Sequence, residues 1–476
     1  MDGRPADLVV RDTPIIVGDP AGAPARFLAA RDGRVLAVGH HDRTRAFAGP
    51  DTVEVANPAG AVLPGFVDPH LHFATLVRLG QPTVRPTADG LARRLRRERR
   101  KTPPGAWVFL PGYDGDLDGL TRSALDRLVP DRPAAVRHAT GHAAVLNSLA
   151  LRALGWTARY PDGRIVGRLD DIARAAPPGP GPSEAAVRKA ARTLLRRGVT
   201  AFSDATATNG PADWARLADW HARGLVPQRI GMLFAPDRVD VTWLDRLSAG
   251  RRFGLKVVLE PAGLDEAARR ALTDAAALAR AARRPLAVHV PDLETLVFAL
   301  DVLGTLPLRP YVRLEHVGVC PPSLAPDVAR VADAVVTQPG FLYWRGDGYR
   351  RRVEPALWPW LYPSATLLGA GIRLAVSSDA PVAPADPLRS LSALVRRVTR
   401  SGAALGPPTP VPAATLLALA TREAAVVAGL EAGRLVPGAP ADLVEVEPNP
   451  LALPPPEWDQ IRIRRVFLAG RPVETD

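Results

Sequence analysis

A chain of 476 residues with 47% hydrophobic content and no long apolar span reads as a soluble globular protein of enzyme size, too long for one small core. Its net charge of +12 invites a nucleic-acid reading, yet no nucleic-acid motif accompanies the charge, and no membrane segment is visible. Cys320 is the only cysteine, which excludes an intrachain disulfide; with no secretory signal in the opening residues, the chain is expected to be cytoplasmic.

In chain order, residues 7–57 alternate with period two, and Asp32-Gly33 supplies a hairpin turn, so this end is expected to be β. The run A-V-L-P-G-F-V-D-P-H-L-H (61–72) is taken as a strand ending in His70 and His72, two imidazoles that extended chain points the same way. Borderline nitrogen donors on one face suit a divalent transition metal such as zinc. Residues 74–182, rich in glycine and proline turns, form an insertion that is expected to lid the mouth described below. Within it, L-A-R-R-L-R-R-E-R-R-K (91–101) carries the densest positive charge. Leu91 and Leu95 share one helical face with arginines around the rest, and no aromatic residue interleaves the run, so a solvated surface helix is the reading and not a nucleic-acid platform.

From residue 183 onward helices and strands alternate: helix 183–197, strand 198–205, helix 212–223, strand 229–235, then the strand-like G-L-K-V-V-L-E (254–260). Of the 61 basic residues only Lys101, Lys189 and Lys256 are lysine, and Lys256 sits inside that apolar run, where an unpaired ammonium is costly to bury. A buried lysine amine can shed its proton and add carbon dioxide to become an anionic carbamate ligand, which arginine cannot do. The competing reading is a lysine that snorkels or pairs with Glu260, four residues on and on the same strand face. A helix with Ala268, Ala271, Leu272, Ala275 and Leu278 as its apolar stripe follows, then strand 286–290 ending at His289, helix 292–304, strand 311–317 carrying His316, helix 322–332, strand 334–338, helix 362–370 and strand 372–378 leading to Asp379. Asp386 and Pro387 make an N-cap and N1 pair for a helix carrying Leu388, Leu391, Leu394, Val395 and Val398. Eight alternating units imply an α/β fold, a (β/α)8 TIM-like barrel over 61–425, whose strands one, four, five, six and eight bring their donors to one C-terminal mouth. The β-rich stretches of 1–60 and 426–476 are expected to join in one small β-sandwich formed by both chain ends.

The segments V-L-P-G-F-V-D-P-H-L-H, R-L-E-H-V-G-V-C-P-P, V-V-T-Q-P-G-F-L-Y, S-S-D-A-P-V-A-P-A-D-P-L and L-V-P-G-A-P-A-D-L-V together resemble the amidohydrolase superfamily, and G-Y-D-G-D-L-D-G-L-T-R-S-A-L-D with H-A-T-G-H-A-A-V-L-N-S-L-A-L is similar to the insertion motifs of its N-substituted formamide deformylase-like branch. The resemblance implies metal ligands at His70, His72, His289 and His316, Asp379 as ligand and proton-transfer base, and Tyr113 and His142 beside a small-molecule substrate. The branch carries aspartate four residues after its fourth-strand lysine where this chain has Glu260, so Lys256 and Glu260 are both candidate ligands and the site holds one or two ions. The implied reaction is hydrolysis of a non-peptide C–N bond in a small amide, formamide or cyclic amide. Two alternatives stand beside it: a mononuclear deaminase, which would place glutamate where this chain has Asp292, and a non-catalytic barrel scaffold, which would have lost ligands. His40, His41, His138 and His221 are read as ordinary surface or turn residues, and the sequence is compatible with a homo-oligomer.

Overall fold

The computed structural model describes residues 4–19, 22–41, 43–79, 88–113, 119–138, 143–166, 172, 181–248 and 250–475. The chain folds as two compact units, Met1–Phe73 with Val187–Asp476, and Ala74–Ala186.

In the first unit, β1 (Leu8–Arg11), β2 (Phe27–Arg31), β3 (Arg34–Gly39) and β4 (Val53–Ala56) form a sheet in the order β3-β2-β1-β4. The β2–β3 hairpin turns at Asp32 and Gly33, with φ of 51 and 78°, the doubly positive pair of a type I′ turn. The run read as one strand over 61–72 divides into β5 (Ala61–Pro64) and β6 (Phe66–Leu71), which join different sheets. Gly65 permits the change of sheet because a Cβ there would collide with the Thr200 side chain.

The second unit holds β7 (Val108–Tyr113), β8 (Ala134–His138), β9 (Ala143–Leu146) and β10 (Arg164–Val166), a sheet ordered β10-β9-β8-β7 in which only β7 and β8 run parallel. The insertion therefore has a sheet of its own and not turns alone. Its helix Ala88–Lys101 buries Leu91 and Leu95 in one cluster with Val108 and Leu110, as the leucine spacing requires.

Back in the first unit, β11 (Val199–Asp204), β12 (Arg229–Phe234), β13 (Phe253–Val258), β14 (Leu286–Val290), β15 (Val312–His316), β16 (Ala334–Thr337) and β17 (Leu374–Val376) complete with β6 an eight-stranded parallel sheet in the order β17-β16-β15-β14-β13-β12-β11-β6. All eight are the strands expected from the alternation. Between its two end strands the sheet is closed by loop bonds just beyond β17: Asp379 N–H donates to the His70 carbonyl at 2.9 Å, and His72 N–H to that of Ala380 at 2.7 Å. The helix Glu266–Ala281, capped by Asp265, buries Leu272, Ala275, Ala276 and Ala279 and leaves Ala271 exposed, so its apolar stripe is turned slightly from the expected one. The helix Pro387–Arg396 starts as expected, with Asp386 accepting from Arg389 N–H and Pro387 in the first turn.

The C-terminal β18 (Leu443–Glu447), β19 (Arg462–Leu468) and β20 (Arg471–Pro472) form with β5 the sheet β20-β19-β18-β5. Leu8, Leu28 and Val55 of the N-terminal sheet share one apolar cluster with Val62, Leu443 and Phe467. Among the described residues no helix is long and apolar enough to cross a membrane.

Candidate metal centre

Strand ends place the donors. His70 is the fifth residue of β6 and His72 follows that strand; His289 lies in β14, His316 ends β15, and Asp379 follows β17 by three residues. Among the described residues, His70, His316 and Asp379 form one group whose ligand atoms all lie within 4.8 Å of one another. His72 Nε2 stands 2.9 Å and His70 Nε2 3.6 Å from the Asp379 Oδ1. The His289 ring meets that of His316 edge-on at 4.4 Å between centroids, and the His70 ring lies 5.1 Å from that of His316. Four imidazoles and a carboxylate thus crowd one end of the barrel, where strand polarity places the active sites of such folds.

Hydrogen bonds at the far ring nitrogens decide which nitrogen faces the cluster. His70 Nδ1 lies 2.5 Å from a Glu315 carboxylate oxygen, and His316 Nδ1 lies 2.7 Å from the amide oxygen of Gln338, whose own NH2 group is committed to Ser377 Oγ. Both partners are acceptors, so both Nδ1 atoms carry hydrogen and both Nε2 atoms present lone pairs. His72 Nδ1 lies 3.0 Å from Thr206 Oγ1, a hydroxyl that can either donate or accept. Burial lowers the pKa of His316 to about 3, with the neighbouring His70 adding to it, so this ring is neutral near pH 7. Burial opposes the charge of Asp379, but the contact with His72, above all, holds its pKa below the usual carboxylate range.

Lys256 Nζ is buried and makes no hydrogen bond, and burial pulls the amine down to about 8, against the pull of Glu315 and Asp379. The hydrogen-bonded pair with Glu260 does not form. Glu260 stands beyond Val258, the last residue of β13, at the head of the turn Pro261–Gly263 and only half-buried. Tyr113 ends β7 in the second unit, buried in that unit's apolar cluster, and His142 lies outside the described residues. His138, read from sequence as a surface or turn residue, is buried beside Tyr113 at the parallel β7–β8 ends, while His221 is exposed, with Nδ1 2.8 Å from the Val226 carbonyl.

Sequence reasoning did not find Glu315, Arg313, Gln338 or Thr206. Glu315 directly precedes His316, and strand alternation would turn it to the opposite face. His316 escapes that rule through a φ of +73°, which swings its side chain to the mouth that Glu315 also faces. Asp68, wholly buried beneath the site and 2.5 Å from Ser378 Oγ, was likewise unread; burial raises its pKa to about 7.

The donor set fits a divalent transition metal. Lys256 Nζ, His316 Nε2 and Asp379 Oδ1 are buried polar atoms without a hydrogen bond, a costly state that a bound cation with neutral nitrogen and anionic oxygen ligands would relieve. Asp292, at the position where a deaminase would place glutamate, is engaged elsewhere: its Oδ1 accepts from Thr295 N–H at 2.9 Å and from the Thr295 hydroxyl as N-cap of the helix Leu293–Gly304.

Comparison with known proteins places this arrangement among relatives. The sequence pattern of the amidohydrolase family matches residues 60–474. An N-substituted formamide deformylase from Arthrobacter pascens is 25% identical over 98% of this chain and 97% of its own length, and a putative amidohydrolase of Bacillus subtilis, YtcJ, is 25% identical over 92% and 94%. In fold, an uncharacterized metal-dependent hydrolase from Pyrococcus horikoshii superposes with a TM-score of 0.71 at 21% identity, covering 94% of this chain and 99% of that one.

Proposed function

The chain belongs to the amidohydrolase family and is a hydrolase, and from that premise we propose that it hydrolyses a non-peptide C–N bond of a small amide, formamide or cyclic amide with one or two divalent transition ions, zinc foremost. The observation that carries this reading is the group of His70, His316 and Asp379, whose ligand atoms lie within 4.8 Å of one another. His72 and His289 adjoin that group and complete the nitrogen donors. Lys256, by adding carbon dioxide and losing a proton, would supply a carbamate oxygen ligand; Glu260, half-buried beyond its strand, is the weaker candidate. When bound, such an ion polarises a carbonyl and brings the pKa of water down to roughly 7.

Asp379 then does the proton work. Ionised and buried among imidazoles, it accepts a proton from the attacking water and passes it to the departing nitrogen, which leaves as an amine. Tyr113 and His142 of the insertion are assigned to substrate contact on the family resemblance alone. The formamide among the proposed substrates rests on the deformylase relative, and the deaminase reading is weakened by the commitment of Asp292 to its helix.

Metal analysis of purified protein, with turnover of a panel of amides, formamides, hydantoins and aminated heterocycles, tests the proposal. We expect one or two equivalents of a divalent transition metal, release of amine or acid from members of the first three classes, and loss of turnover on chelation. Folded protein that takes up no metal when zinc is supplied would sink the enzyme reading and favour the scaffold. Ammonia released from the heterocycles alone would favour the deaminase.

A further inference from the structure

Below the donors lies a charged layer that metal coordination does not use. Arg313 and Glu315 occupy alternate positions of β15 and therefore share a face. That face is the barrel interior, because Arg313 Nη2 reaches the Pro69 carbonyl of β6 at 2.8 Å, although β6 and β15 are not neighbouring strands. Arg313 is 1% exposed and Glu315 not at all. Arg313 Nε donates to Glu315 Oε1 at 2.5 Å and Nη2 to Oε2 at 3.2 Å, a two-point grip on the carboxylate. The same Oε2 receives His70 Nδ1 at 2.5 Å.

An ion pair sealed in a barrel interior is a poor way to gain stability, since hydrophobic residues of similar volume usually serve as well or better. Its geometry suits a different task. Glu315 confines hydrogen to His70 Nδ1, fixes the ring plane and leaves Nε2 bare toward Asp379; Arg313 holds Glu315 ionised and ties it to the backbone of the strand that bears His70. We propose that Arg313 and Glu315 are a positioning relay that sets the tautomer and orientation of His70 and thereby the affinity of the site for its metal. The inference rests on the metal-centre reading above, and the residues act through His70 without touching substrate.

Zinc affinity measured by competition with a chromophoric chelator is the test, with circular dichroism and melting temperature recorded alongside. Glu315→Gln keeps the shape but replaces the anionic acceptor, and is expected to weaken zinc binding by about 10- to 100-fold, the usual scale for losing such a partner. Arg313→Gln should weaken it in the same direction. Leu272→Ala, in the helix Glu266–Ala281 and wholly buried, serves as a control that lowers stability without shifting zinc affinity. A folded Glu315→Gln variant with zinc affinity within about threefold of the parent overturns the relay, as does parent protein that takes up no zinc. Should Glu315→Gln fail to fold, 15N spectra of histidine-labelled parent protein decide: hydrogen on His70 Nδ1 supports the relay, and hydrogen on Nε2 with Nδ1 bare overturns it. Neither readout involves turnover, so an inert protein whose zinc affinity falls in the variant would refute the proposed reaction and leave the relay standing.

Discussion

At the mouth of the barrel His316, Val317 and Asp379 hold φ of 73, 47 and 57°, values that L residues seldom adopt and that cost on the order of 1–3 kcal/mol each. Such turns release His316 and Asp379 from strand alternation and let them face the same volume as His70. Asp379→Asn should keep this backbone and the shape of the site while removing the proton acceptor, and kcat is expected to fall at least about a hundredfold with folding unchanged by circular dichroism. Activity within a few-fold of the parent would make Asp379 a structural residue at the end of its strand. Lys256→Arg separates two roles for the buried amine: guanidinium cannot form a carbamate, so the variant should lose a metal equivalent and most turnover, whereas full metal content with near-normal turnover would leave a mononuclear site without Lys256. The candidate donors can be picked out in the sequence because each lies at or near the end of a short apolar run, and Lys256 because the composition is dominated by arginine. Glu315 cannot, because nothing in R-L-E-H signals that the backbone reverses its habit at the last residue.

The eight barrel strands and the helices that follow them could be read as elements because apolar runs of three to six residues alternate with amphipathic stretches, and a parallel sheet buried on both faces demands that pattern. Two boundaries could not. The 61–72 run reads as one strand on its hydrophobic residues, but the chain changes sheet at Gly65, just after Pro64, where Thr200 approaches closely. The sheet of the insertion does not show in the same way because β8 and β9 follow one another without a helix between them and β7 itself contains Pro111 and Gly112, signals ordinarily read as turns. One element bears directly on the chemistry. If Asp292 serves only as the cap of the helix Leu293–Gly304, Asp292→Ser should keep both stability and turnover, and Asp292→Ala should lower stability by about 1 kcal/mol with turnover intact. Denaturant titration with steady-state kinetics on the two variants checks this. Loss of turnover in Asp292→Ser at unchanged stability would return Asp292 to the reaction and revive the deaminase.

On the scale of the molecule, the eight-stranded sheet has no strand ladder between β17 and β6, and the proposed ligands lie on both sides of that seam. His70 and His72 come from the β6 side and Asp379 from beyond β17; direct links there include two backbone hydrogen bonds, the contact of Asp68 with Ser378 and the approach of His72 to Asp379. An ion shared by those side chains would tie the first strand to the last and stabilise the closed sheet against opening, because the separated ends cannot bind it. Linkage sets the size of the effect at about 2.7 kcal/mol for free metal at a hundred times Kd, growing with the logarithm of concentration. Scanning calorimetry of protein stripped by chelator and then reloaded with zinc should therefore show the melting of the barrel unit rise with zinc concentration. The Ala74–Ala186 insertion supplies none of these ligands, so any transition belonging to it should stay in place. Asp379→Asn should shrink the zinc-dependent rise by taking away the anionic ligand from one side of the seam. If the barrel transition is indifferent to zinc in the parent protein, the ion does not bridge the seam, and the metal must be sought on one side of it or given up.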